Sequence, residues 1–158
     1  MEQVDVDFFN GCIDATYDTL DTMLGVQMVR YKDPADVPVI EDTFNVFAII
    51  GLTGKVTSRL VLSCTASVAL RLSEKFLMED LDSLNEDVLD SMKELINIVA
   101  GAAAGNMQQY QLQLSLPVIL LGNEADIHSA KGGSTVSVPF FVPECGPLHL
   151  EITVDIRK

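Results

Sequence analysis

Leu148-His149-Leu150-Glu151-Ile152-Thr153-Val154-Asp155-Ile156-Arg157 alternates apolar and polar residues without a break. In an extended chain successive side chains point to opposite faces. Leu148, Leu150, Ile152, Val154 and Ile156 therefore share one face, and His149, Glu151, Thr153, Asp155 and Arg157 share the other. A strand with one dry and one wet face belongs to an antiparallel sheet covered on one side only, whereas strands of a parallel sheet are apolar on both faces. The expected fold is α+β: long amphipathic helices packed on one face of an antiparallel or mixed sheet, and not a doubly wound nucleotide binder.

Outward from this strand, residues 143–147 read as a turn and residues 135–142 as its partner, with Val136, Val138, Phe140 and Val142 on one face. Pro139 lacks an N–H to give, which suits an edge strand or a bulge. Residues 112–121 read as an apolar strand broken by Pro117, followed by a polar loop over 122–134. Nearer the start, residues 44–50 and 55–63 read as strands, with Gly51-Leu-Thr-Gly54 as a tight hairpin between them. A further short strand is expected at 26–31, then a loop at 33–38 with two prolines.

Helical periodicity covers the remaining segments. In residues 5–24, Phe9, Ile13, Thr16, Leu20 and Leu24 recur on one stripe, widened by Phe8, Cys12, Tyr17 and Met23, and Gly25 supplies the stop. Thr65 is placed to cap a helix running to about residue 78, carrying Val68, Leu72 and Phe76. The longest helix spans about 86–110 after an acidic loop at 79–87. Each half of the chain opens with a long helix and closes with a strand pair, so the expected organisation is one domain over 1–158 with pseudo-repeats at about 5–80 and 86–158.

With 158 residues, 48% of them apolar and 21% charged, the chain is long enough for a real core. A formal net charge of −13 argues against nucleic acid and anionic membrane as partners, since both need clustered Lys and Arg. No apolar run approaches the roughly 20 residues that cross a bilayer, and the opening Met-Glu-Gln-Val-Asp lacks the pattern of a secretion signal. Cys12, Cys64 and Cys145 are odd in number and widely spaced, which points to reduced thiols and a cytoplasmic protein without a disulfide framework or zinc site.

The long helix carries the chemical information. At about 100° per residue, Asp90, Glu94, Asn97, Gly101 and Gln108 fall within a narrow stripe, and Val88, Met92, Leu95, Val99 and Ala103 fall opposite. Beyond Asn97 the exposed side is built from Gly101, Ala104 and Gly105. Glycine costs a helix about 1 kcal/mol relative to alanine, so two on one exposed face suit close approach by another surface. A solvated helix face is the plain alternative. The first helix repeats the spacing as Asp14-x-x-x-Asp18-x-x-Asp21, with three acids and no amide. A carboxylate only accepts hydrogen bonds, while an amide also donates. Only the second stripe can orient a water beside an anionic phosphoryl group.

The segment Asp90-Ser-Met-Lys-Glu-Leu-Ile-Asn-Ile-Val-Ala-Gly101 resembles the signature helix of the CheC/CheX chemotaxis phosphatases: an acid or serine, three residues, Glu, two residues, Asn, then a glycine and later a proline. Ser115-Leu-Pro117, Thr22-Met-Leu-Gly25, the hairpin that opens Ile49-Ile-Gly-Leu52, and the strand pair over 139–156 are also similar, so the resemblance spans nearly the whole chain. One intact Glu-x-x-Asn resembles CheX more than the two-site CheC form. Where the family often has Ala between Glu and Asn, this chain has Leu95 and Ile96, both expected to be buried, and Lys93 stands beside Glu94.

The resemblance implies a phosphatase that hydrolyses the aspartyl phosphate of a CheY-type response-regulator receiver. Asn97 would hold the attacking water and Glu94 would pair with the receiver's lysine. Asp90 would extend that contact, and Gly101 and Ala104 would admit the receiver's backbone. No cofactor is implied for this chain, because the Mg²⁺ belongs to the receiver. The family also implies a homodimer through sheet edges, for which the Pro139 strand and the final strand are the candidates here. The alternative functions are a receiver-binding adaptor without turnover and a dimeric interaction domain.

Other features read as structural. Lys131-Gly-Gly-Ser-Thr135 lacks the upstream glycine of a phosphate loop and reads as a plain loop. His128 and His149 stand apart from any catalytic or metal-binding set, and Asp80, Asp82, Glu86 and Asp87 lack calcium-loop spacing.

Overall fold

The computed structural model describes residues 3–30, 36, 43–122 and 133–156. Helix α1 (Gln3–Leu24) buries Phe8, Cys12, Ala15 and Leu20 and stops at Gly25, whose φ of +62° suits a residue without Cβ. The strand expected at 26–31 does not form: residues 26–30 have no regular structure. Instead the chain turns back along α1, and the Met28 N–H donates to the Asp21 carboxylate at 2.8 Å. Met23, expected on the buried stripe, is 39% exposed, although Leu24 beside it is in the core. Most of the expected 33–38 loop lies outside the described residues.

Strands β1 (Val46–Thr53) and β2 (Val56–Cys64) form a hairpin. Its reversal falls at Gly54 and Lys55, later than the expected Gly51–Gly54 turn, and Gly51 pairs inside β1 with Arg59. Helix α2 (Ala66–Leu77) starts at Thr65, whose hydroxyl accepts the Val68 N–H at 3.2 Å. Helix α3 (Glu86–Asn106) starts at Asn85, whose side chain accepts the Val88 N–H at 3.2 Å. Glu86 and Asp87 in its first turn complement the helix dipole. The helix ends earlier than the expected residue 110. Met107 N–H is shared between the Ala103 and Ala104 carbonyls, and a 3-10 turn, Gln108–Tyr110, follows, so Gln108 is not on the α-helical stripe.

The broken apolar segment gives two short strands, β3 (Gln113–Leu114) and β4 (Val118–Leu121), and both pair with β1. At the break Ser115 keeps the ladder satisfied: its N–H donates to the Gly51 carbonyl at 2.9 Å, and its Oγ accepts the Gly51 N–H at 2.8 Å. Strands β5 (Ser134–Val142) and β6 (Gly146–Ile156) complete an antiparallel sheet in the order β3-β1-β2-β6-β5, with β4 also on β1. The final strand is therefore interior. It lies between β2 and β5, which corrects the expectation that it is an edge. The alternation fixes its faces, but its neighbours are set by the crossover from the first half. The Pro139 strand does lie on an edge, and β3 and β4 form the other.

The inner face presents Ala48, Ile50, Leu60, Leu62, Leu150 and Ile152 to all three helices, and α1 and α2 both flank α3. A smaller apolar cluster, Phe47 and Val61 with Phe44 and Ile49, sits on the outer face. The hairpin tip holds the far end of α3. Lys55 N–H donates to the Tyr110 carbonyl at 2.8 Å, and a Cβ on Gly54 would come within 2.4 Å of that oxygen.

Candidate functional site

Helix α3 buries Val88, Met92, Leu95, Ile96, Val99 and Ala103 against the sheet and its sister helices. Leu95 and Ile96, the residues that depart from the family pattern, are within the core, so the substitution is one of packing. That orientation forces Asp90, Glu94 and Gly101 onto the exposed side, with Asn97 and Ala104 half-buried beside them. The five expected site residues thus lie along one helix face. Among the described residues, the side chains of Asp90, Glu94 and Asn97 have no hydrogen-bond or ion-pair partner. A Cβ added at Gly101 or Gly105 would meet nothing within 4 Å. The face beyond Asn97 is smooth and open.

The matching stripe of α1 is in a different state. Arg30 lies 3.3 Å from an Asp14 carboxylate oxygen and 3.6 Å from one of Asp18, with its guanidinium 4.2 Å from the centroid of the Tyr17 ring. Asp21, at the same spacing as Asn97, is occupied by the Met28 N–H. All three acids are engaged by the chain's own return segment. A basic residue shortly after the Gly25 stop was the sequence signal for this, and the acidic spacing alone did not reveal it.

A hollow of about 280 Å³ adjoins Glu94. One wall is acidic, from Asp87, Asp90 and Glu94, and the other is Phe76 and Leu77 at the end of α2. Ser91 at its base is satisfied, since its Oγ donates to the Asp87 carbonyl at 2.7 Å. Phe76, expected on the apolar stripe with Val68 and Leu72, is half-buried: it packs against the core and also forms this wall.

The three cysteines are buried and are not poised as nucleophiles. Burial pushes the thiols of Cys12 and Cys64 up to about 12, so both are protonated at neutral pH. Burial raises Cys145 as well, with Lys75 opposing. Among the described residues no three His, Cys, Asp or Glu side chains are grouped to hold a metal ion. Asp80, Asp82, Glu86 and Asp87 are exposed, and His149 packs edge-on against Phe44 with ring centroids 4.9 Å apart. His128, Lys131 and Gly132 lie outside the described residues. Among the described residues no helix is long and apolar enough to cross a membrane.

Residues 46–141, more than half of the chain and the whole of the α3 stripe, match the family profile described as chemotaxis phosphatase CheX. The chain belongs to this family. Within it, a protein named CheY-P phosphatase CheX from Thermotoga maritima is 26% identical over 153 residues, covering 94% of this chain and 97% of the relative. The fold is shared with CheX from Vibrio vulnificus at a TM-score of 0.74 and 22% identity, over 94% of this chain and 96% of the other. It is also shared with a chain of the CheX–CheY–BeF3–Mg²⁺ complex from Borrelia burgdorferi, at a TM-score of 0.75 and 23% identity, over 93% and 97%. The CheX family thus accounts for the three helices on one face of an open antiparallel sheet.

Proposed function

We propose that this protein hydrolyses the aspartyl phosphate of a CheY-type response-regulator receiver, acting in the cytoplasm as a homodimer. The observation that carries the reading is the contrast between the two stripes. On α3 a carboxylate and an amide stand one turn apart, exposed or half-exposed and without partners among the described residues, while on α1 the equivalent acids are all engaged. The Thermotoga relative is named for this activity, and the Borrelia complex holds CheY with the family's fold.

In this reading Glu94 accepts a charge-assisted hydrogen bond from the receiver's lysine and fixes the register of the complex. Asn97 then lies one turn further along, where its amide holds a water in line with the phosphorus. The water oxygen attacks, the bond from phosphorus to the receiver's aspartate breaks, and the water's proton leaves with inorganic phosphate. The chain contributes positioning, which is the main thing a protein can add to phosphoryl transfer. Asn97 must be neutral, since a carboxylate there would repel the phosphoryl oxygens. The receiver brings its own Mg²⁺.

The test is the decay of a phosphorylated CheY-type receiver from the same cell, with this protein at sub-stoichiometric amounts. Wild type should accelerate decay and Asn97→Ala should reduce the acceleration by about a hundredfold or more. Binding without acceleration would make the protein an adaptor, and the phosphatase reading would be abandoned.

A further inference from the structure

Met78 follows the last residue of α2 in a left-handed conformation, φ 57°, and is 90% exposed. That position is ordinarily filled by glycine, because a Cβ is strained there. A large apolar side chain is thus held outward where a smaller residue would suit the backbone better. Next to it Phe76 is a wall common to two hollows. One is the acidic hollow beside Glu94. The other, about 490 Å³, lies between the ends of α1 and α2 and includes Met23 and Met78. Lys75 also borders it, but its ammonium is turned to Glu144 at 2.6 Å, linking α2 to the β5–β6 turn. The surface therefore runs without a break from the Asp90–Glu94 stripe, over Phe76, to two exposed methionines.

We propose that the docking surface for the phosphorylated receiver extends from Glu94 across Phe76 onto Met78 and Met23, where the receiver seats an apolar side chain next to a basic one. This rests on the function proposed above. Charge complementarity selects the occupant. A hollow with Asp87, Asp90 and Glu94 on one wall and Phe76 and Leu77 on the other fits an alkyl stem ending in a cation. A second copy of this chain, with 10 Lys and Arg against 23 Asp and Glu, has few cations to bring to it. In the opposite direction along α3, Gly101 and Gly105 let a backbone come close but offer no side chain to grip. Methionine at the far end supplies an adaptable apolar contact.

The experiment compares wild type with Met78→Asp, Met23→Asp and, as a control, Val29→Asp, a residue 50% exposed outside this surface. Two readouts are taken: titration with the beryllofluoride-activated receiver, and KM and kcat for the phosphorylated receiver. Met78→Asp should weaken binding and raise KM by about tenfold, the scale expected for losing one buried apolar contact. Met23→Asp should give a smaller change in the same direction, and kcat and the melting temperature should stay within error. Val29→Asp should match wild type. Unchanged affinity and KM in both methionine variants, with wild type active and Asn97→Ala inactive, would overturn this extension alone. If wild type neither binds nor dephosphorylates the receiver, the proposed function falls and this surface with it.

Discussion

At the scale of single residues, Asn97 on α3 is an amide without a partner among the described residues, while Asp21, at the same spacing on α1, is an acid held by the Met28 N–H. The sequence distinguishes Asn97 from Asp21 as amide from acid, and the spacing puts both on exposed helix faces. It does not say that Asp21 is taken by the Met28 N–H or that Arg30 closes over Asp14 and Asp18. Those contacts depend on how residues 26–30 return, and tertiary packing decides that. Burial was read better. Cys12 alternates with core positions, and its thiol and that of Cys64 are pushed from an ordinary value near 9 up to about 12. The consequence is a stability that depends on alkaline pH. Between 9 and 12 the unfolded thiols are ionised while the folded ones keep their protons. The unfolded state then binds fewer protons, and stability falls as pH rises. Each thiol loses about 1.4 kcal/mol per pH unit in that window. Urea denaturation at pH 8 and pH 10 should therefore differ by about 3 kcal/mol from these two groups, and the Cys12→Ala/Cys64→Ala variant should lose that part of the difference. An equal pH slope in wild type and double variant would show that the thiols are not the source.

At the scale of elements, the helix faces were correct because 3.6-residue periodicity is a strong signal over six turns of α3. Ends were less legible. The helix gives way to a 3-10 turn at Gln108, and the Lys55 N–H on the hairpin tip, from a distant part of the chain, donates to the Tyr110 carbonyl that closes the turn. Residues 26–30, at the start of a segment expected to be a strand, have no regular structure. Within α3 the open side at Gly101 separates folding from docking. A methyl group there meets nothing within 4 Å, so Gly101→Ala should stabilise the protein by about 0.5–1 kcal/mol by restricting the unfolded chain. Gly101→Phe should fold about as well as wild type yet bind the activated receiver at least about tenfold more weakly, because the ring occupies the space reserved for the partner. Thermal unfolding and titration read the two effects separately. A phenylalanine variant that binds like wild type would mean the receiver does not approach this turn.

At the scale of the whole molecule, alternation told which face each strand shows but not which strand lies beside it. The final strand has the cleanest pattern in the chain, and it is interior to the sheet, between β2 and β5. That leaves two edges with different chemistry. The β5 edge carries Pro139, which has no N–H to offer. The β3–β4 edge exposes Leu116 at 87%, Val118 at 51% and Leu121 at 53%, with Leu114 and Leu120 partly exposed. An apolar strand edge left open is a liability in a monomer, so the proposed homodimer is expected to meet at β3–β4. This edge also packs beside α3, on the flank away from α1, so a second copy seated there leaves Phe76 and Met78 free for the receiver. The charge of −13 on each copy opposes association, and salt that screens it should tighten the dimer. Sedimentation or light scattering at micromolar concentration should give a dimer for wild type and a monomer for Leu116→Lys/Val118→Lys, since exposed lysines block edge pairing while costing the fold little. A double variant that stays dimeric would move the contact to β5. A monomeric wild type would remove the dimer from the reading altogether.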